Sequence, residues 1–222
     1  AQINSRGTNL IHHNILPIVI SFIAGALVLL AQVIYIFHIL KGRLKPSVLS
    51  WFGWGLLMGI SGYAQIVDGG WNWSLTGLVL STFGCMAISL VGLVSGRYSL
   101  AATDWWFFFG GVVCMLFYIL AKDPFTTTLL AVFIDLLLGI PTLINAYRNP
   151  HLEKTNAWTY GTLSWVLTLG LCIGEDFLLW MFPIYLFSFN GVMVLLTLPK
   201  RISRMAHEDA AAVRANHKSQ EQ

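Results

Sequence analysis

Few side chains in this sequence could do chemistry, because only 10% of its 222 residues are charged and 56% are hydrophobic. Asp135 stands out. It lies in the middle of an apolar run between Thr126 and Pro141, with no basic residue within a helical turn or two. A carboxyl group in such surroundings is costly unless a proton, a cation or a hydrogen-bond donor meets it. Asp135 is therefore a candidate for proton coupling or for holding the amine or hydroxyl of a solute. The plainer alternative is an acid hydrogen-bonded to a neighbouring helix. Asn190 sits at mid-run in the last apolar stretch, where an amide either lines a cavity or ties two helices together. Gln32 and Asn145 lie nearer one end of their runs, where such side chains line a gate or cap a helix. Gln65 lies close to the opposite interface and is expected to be solvated.

Other chemistries lack their residues. Cys85, Cys114 and Cys172 fall in apolar runs without CxxC spacing, so buried free thiols are expected. His12 and His13 are adjacent and cannot share a helix face, and His38 stands alone near a basic loop, so no metal site is expected. The last apolar run has no lysine for a retinal Schiff base. The sequence carries no Ser/His/Asp set, phosphate loop or HExxH motif. Neither an enzyme nor a resident cofactor is indicated.

The elements that must position these residues follow from hydropathy. A surface exposed to water would need about a quarter of the residues charged. The composition therefore excludes a secreted globular domain, a nucleic-acid-binding protein and a disordered chain. Seven apolar runs, at 15–40, 48–67, 73–93, 105–120, 126–146, 158–173 and 177–198, approach the length that crosses about 30 Å of hydrocarbon. The fourth and sixth are the shortest. Helices satisfy their own backbone in lipid, so an all-α membrane protein of seven transmembrane helices is expected. Residues 1–14 form a polar segment without the basic start of a signal peptide, and 200–222 form a charged tail, either a short exposed helix or disorder. Eleven Lys and Arg fall on one side of this arrangement, and only Arg6 and Lys122 on the other. The positive-inside rule then puts the N-terminus outside and the C-terminus in the cytoplasm. Compact loops and this bias suit a bacterial inner membrane. Trp71, Trp73, Trp105 and Trp106 lie near span ends, as in an interfacial belt. Gly55 and Gly59 form a GxxxG pair suited to a close helix contact.

The chain also repeats itself. A shift of 107 positions pairs Trp51 with Trp158, Trp73 with Trp180, Gly84 with Gly191 and Arg97 with Arg204, and sets Asp68 on Glu175. Apolar matches are cheap in such a composition, but two tryptophan pairs and an acid pair at one offset are not. The shift carries spans 1–3 onto spans 5–7 and leaves span 4 over. The two copies are therefore parallel, related by a pseudo-two-fold axis along the membrane normal. This 3+1+3 plan divides the chain into a first triple-helix bundle at 15–96, a linker helix within 97–123 and a second triple-helix bundle at 124–199.

With these motifs in place, the chain resembles the SWEET/PQ-loop superfamily, including its PnuC-type vitamin transporters. The second copy reads Pro141-Thr142 before the basic Arg148, and the first reads Ala31-Gln32 before Lys41, Arg43 and Lys45, so each keeps half of the Pro-Gln pair. Asn190-Gly191 is similar to the Asn-Gly pair of the family's last span, whereas the first copy has Phe83-Gly84. The resemblance implies a flexing point at Pro141, with Gln32 and Asn145 in the gate. It also implies a solute held between aromatic residues of the second helix of each bundle, here Trp51, Trp54, Trp158 and Trp165. Asp135 and Asn190 complete the substrate-binding set.

Two readings follow. One is a transporter or facilitator for a small polar solute (a sugar, amino acid or vitamin), with proton coupling if Asp135 titrates. The other is a non-transporting subunit or scaffold of a larger membrane complex, suggested by the halved motifs and by the aromatic cluster at Trp105, Trp106, Phe107, Phe108 and Phe109. Membrane lipid and a small-molecule substrate are the expected partners, with a homo-oligomer or larger assembly compatible with either reading.

Overall fold

In a computed structural model of the chain, residues 4–98, 102–148, 150 and 155–197 are described. They form seven α-helices and one 3₁₀ turn, with no strand among them. The helices are α1 (Asn4–Leu40), α2 (Val48–Gly69), α3 (Thr76–Val94), α4 (Ala102–Ala121), α5 (Pro124–Arg148), α6 (Ala157–Leu171) and α7 (Phe177–Thr197). The expected tail at 200–222 lies outside the described residues.

Among the described residues, four segments are long and apolar enough to cross a membrane: Ile15–Leu40, Trp73–Val94, Pro124–Arg148 and Phe177–Thr197. The chain is thus an integral, all-helical membrane protein. Its outer surface agrees, since Phe22, Phe83, Leu90, Phe133 and Leu195 are exposed, as they would be to lipid rather than to water. α6 has 15 residues and reaches only about 22 Å. α2 has 22 residues but includes Ser50, Ser61, Gln65 and Asp68. Several boundaries differ from expectation. α1 begins at Asn4, so the polar N-terminal segment continues the first helix, and α4 is a full 20 residues because Ala102, Thr103, Asp104 and Ala121 extend it.

The helix ends have local causes. The Ser47 hydroxyl accepts from Ser50 N at 3.2 Å and caps α2, which Gly70 ends at φ 79°, a value open to glycine. Asn72 caps the 3₁₀ turn Trp73–Leu75 that leads into α3. Asp123 accepts from Thr126 N at 3.1 Å at the start of α5. These Thr126 hydrogen bonds, side chain first, hold the Asp123 carboxyl below the usual carboxylate range. Arg97 donates to Ile39 O at 3.0 Å and to Leu40 O, placing a cation on the carbonyl end of α1.

Packing sets the order of the bundle. α3 lies against both α1 and α2, α6 against α1, and α5 against α2, while α4 rests on α2 and α5. The GxxxG pair makes the close contact expected of it. A Cβ at Gly55 would stand 3.1 Å from Thr82 O, and one at Gly59 would stand 3.1 Å from Thr82 Cγ2, so α2 and α3 approach nearly backbone to backbone.

Candidate functional site

A cavity of about 90 Å³ lies inside the bundle, lined from α1, α2, α3, α5, α6 and α7. It has room for several waters or one small solute. Gln32, Trp51, Trp54, Asp135, Trp158, Trp165 and Asn190, all candidates from the sequence, converge on it although they come from five helices. The side chains of Pro141 and Asn145 lie outside the described residues, as does that of Cys114.

The wall is largely aromatic and closes on itself. Tyr35 stacks at a tilt on Trp51 at 4.6 Å, Trp51 meets Trp54 edge-on at 5.1 Å, and Trp54 meets Phe189 at 6.0 Å. Phe189 meets Trp158 at 6.1 Å, and Trp158 returns to Tyr35 at 6.2 Å. These separations are those of favourable aromatic pairs, each worth about 0.5–1.5 kcal/mol beyond its buried area. The ring joins α1, α2, α6 and α7. Trp51 and Trp158, paired by the 107-residue shift, both touch Tyr35. Trp54 Nε1 donates to Asp135 O at 3.3 Å and ties α2 to α5.

Missing side chains let the wall close. Gly139 leaves room on α5 for the ring of Phe189, Gly84 leaves room on α3 for the amide of Gln32, and Gly161 leaves room on α6 for Asn190. A Cβ at any of the three would overlap its neighbour. Held in these notches, Gln32 Nε2 donates to Ser81 O at 3.3 Å, and Asn190 Nδ2 donates to Leu186 O at 2.7 Å.

Three polar atoms in this wall have no partner: Gln32 Oε1, Asp135 Oδ1 and Trp158 Nε1. All three side chains are at least nine-tenths buried, and Asp135 is only 2% exposed. An unpaired buried polar group costs about 1–3 kcal/mol, and these two acceptors and one donor all belong to residues that line the same cavity. Tyr185 on α7 brings its hydroxyl toward the Asp135 carboxyl as a donor, in a geometry short of a full hydrogen bond. Among the described residues, no group of His, Cys, Asp and Glu could hold a metal ion.

Along the bundle, the cavity occupies the middle and the half nearer the α1–α2 and α5–α6 connections. The opposite half carries polar contacts between helices. Ser61 Oγ and Thr128 Oγ1 are 2.7 Å apart, and Gln65 Nε2 donates to Ser61 Oγ at 3.0 Å. Ser164 Oγ donates to Ala24 O at 2.8 Å. Gln65 is therefore not solvated as expected: it is buried because it faces α5, and its amide completes that seam. His38 is a helix-end residue bonded to Ile34 O at 2.7 Å, and Cys85 and Cys172 are buried free thiols.

Sequence reasoning missed Tyr35, Phe189 and Tyr185. Tyr35 was within reach, because it lies three residues after Gln32 and shares its helix face. Phe189 gave no comparable sign, since its position depends on the glycine opposite it. Compared with protein-family models, with curated proteins and with solved structures, the chain matches none.

Proposed function

We propose that the chain is a transporter or facilitator for a small polar solute such as a sugar, amino acid or vitamin. In this reading seven spans form a 3+1+3 parallel repeat, with the N-terminus outside and the C-terminus in the cytoplasm of a bacterial inner membrane. The two triple-helix bundles rock about the central cavity and expose it to each side in turn. One observation carries the reading: a pair of tryptophans matched by the repeat meets in a closed aromatic ring around a cavity whose lining residues carry unpaired buried polar atoms. The seams add support. The 107-residue shift turns the α1–α6 contact into the α5–α2 contact, as a pseudo-two-fold axis requires. The cavity lies toward one face with polar contacts between helices toward the other, the arrangement of one end-state of alternating access.

Thermal unfolding of the purified protein against sugars, amino acids and vitamins tests this. A solute at about ten times its Kd should stabilise the native state by about 1.4 kcal/mol. The second reading, a subunit of a larger membrane complex, draws on the exposure of Trp105, Trp106 and Phe109 along α4. No stabilisation by any solute, together with a stoichiometric partner after mild detergent extraction, would favour it.

A further inference from the structure

We infer that the cavity takes a small organic ammonium ion, a primary amine without a carboxylate, held by Asp135 within the aromatic ring. The inference rests on the transport reading and narrows its substrate class. It begins with charge: among the described residues, Asp135 is the only carboxylate in the lining, and no Lys, Arg or His lines the cavity with it. A buried carboxylate needs a counter-charge or a proton, and a bound ammonium supplies the counter-charge. An anionic solute would meet a carboxylate and no cation, so phosphates and simple carboxylates are disfavoured, and a zwitterion leaves its own carboxylate unmatched.

The rest of the wall fits the same ligand. Aromatic faces attract a desolvated ammonium, and Tyr35, Trp51 and Trp158 surround the space beside the acid. An ammonium has three donors, and two residues of the wall, Asp135 and Gln32, each carry a buried acceptor without a partner. The remaining open donor, Trp158 Nε1, suits a hydroxyl or carbonyl elsewhere on the solute. A volume of about 90 Å³ limits the ligand to a few carbon atoms or one ring.

Calorimetric titration of the protein with three four-carbon probes, n-butylammonium, butanamide and butanoate, tests the charge preference without any variant. Butylammonium should bind at least tenfold more tightly than butanamide, with butanoate undetectable. Asp135→Asn should abolish that preference, and Asp135→Glu should keep most of it. If Asp135→Asn fails to fold, the probe series on the unaltered protein with Asp135→Glu still decides. Equal binding of butylammonium and butanamide, or tight binding of glucose that survives Asp135→Asn, would overturn the ammonium inference while leaving a solute carrier. If no probe, sugar, amino acid or vitamin binds, both the inference and the transport reading fall.

Discussion

Gln32 occupies the space that a side chain at Gly84 would fill. The missing methyl group thus decides where the amide of Gln32 can lie. Gly84→Ala would drive Gln32 from its bond to Ser81 O, and overpacking of this kind costs about 1–3 kcal/mol. Shortening the neighbour should remove the conflict, so Gly84→Ala should be close to neutral in a Gln32→Ala background. A double-mutant cycle read by unfolding in detergent would then give a coupling of at least about 0.5 kcal/mol. An equal loss in both backgrounds would mean that the added methyl group strains something other than Gln32. The position of Gln32 in its apolar run pointed to a polar residue inside the bundle. Nothing local pointed to Gly84, because a notch is made only when two helices that are distant in sequence meet.

At the scale of elements, the helices follow from apolar runs of the right length, and their ends from local cap residues such as Ser47, Asn72 and Asp123. Which face a residue takes is harder to read. Gln65 lies near a helix end, which suggests solvation, yet a helix end can still be packed against a neighbour, and this one faces Thr128. The α2–α5 seam has a testable role. Thr128→Val removes the partner of both Ser61 and Gln65, and hydrogen bonds between membrane helices are worth about 0.6–2 kcal/mol each. Stability should fall by an amount in that range. If the seam holds the cavity shut on that side, Cys85, which lines the cavity, should react several-fold faster with a small thiol reagent in Thr128→Val. A stability loss without faster labelling would make the seam structural and not a gate.

At the scale of the whole molecule, the apolar runs were the legible part of the architecture, an all-helical membrane protein, and the paired tryptophans and the acid pair at one offset carry the repeat proposed above. The cavity was legible only as a set of candidate residues; its closure needed Tyr35 and Phe189, which tertiary packing supplies. Orientation can be checked with single cysteines in a cysteine-free background and an impermeant thiol reagent on intact cells. Asp68→Cys and Glu175→Cys should label from outside, while Lys45→Cys and Asn156→Cys should label only after permeabilisation. Labelling of Asp68→Cys and Glu175→Cys from opposite sides would rule out a parallel repeat. The closed ring has a further, optical consequence. Tyr35 lies within transfer range of Trp51 and Trp158, and Trp51 and Trp54 sit close enough for their transitions to couple. Light absorbed at Tyr35 should therefore emerge as tryptophan emission, and the coupled indoles should give a near-ultraviolet dichroism sensitive to their mutual angle. A solute entering between the rings would change both signals, so the unlabelled protein carries a built-in reporter of its own occupancy.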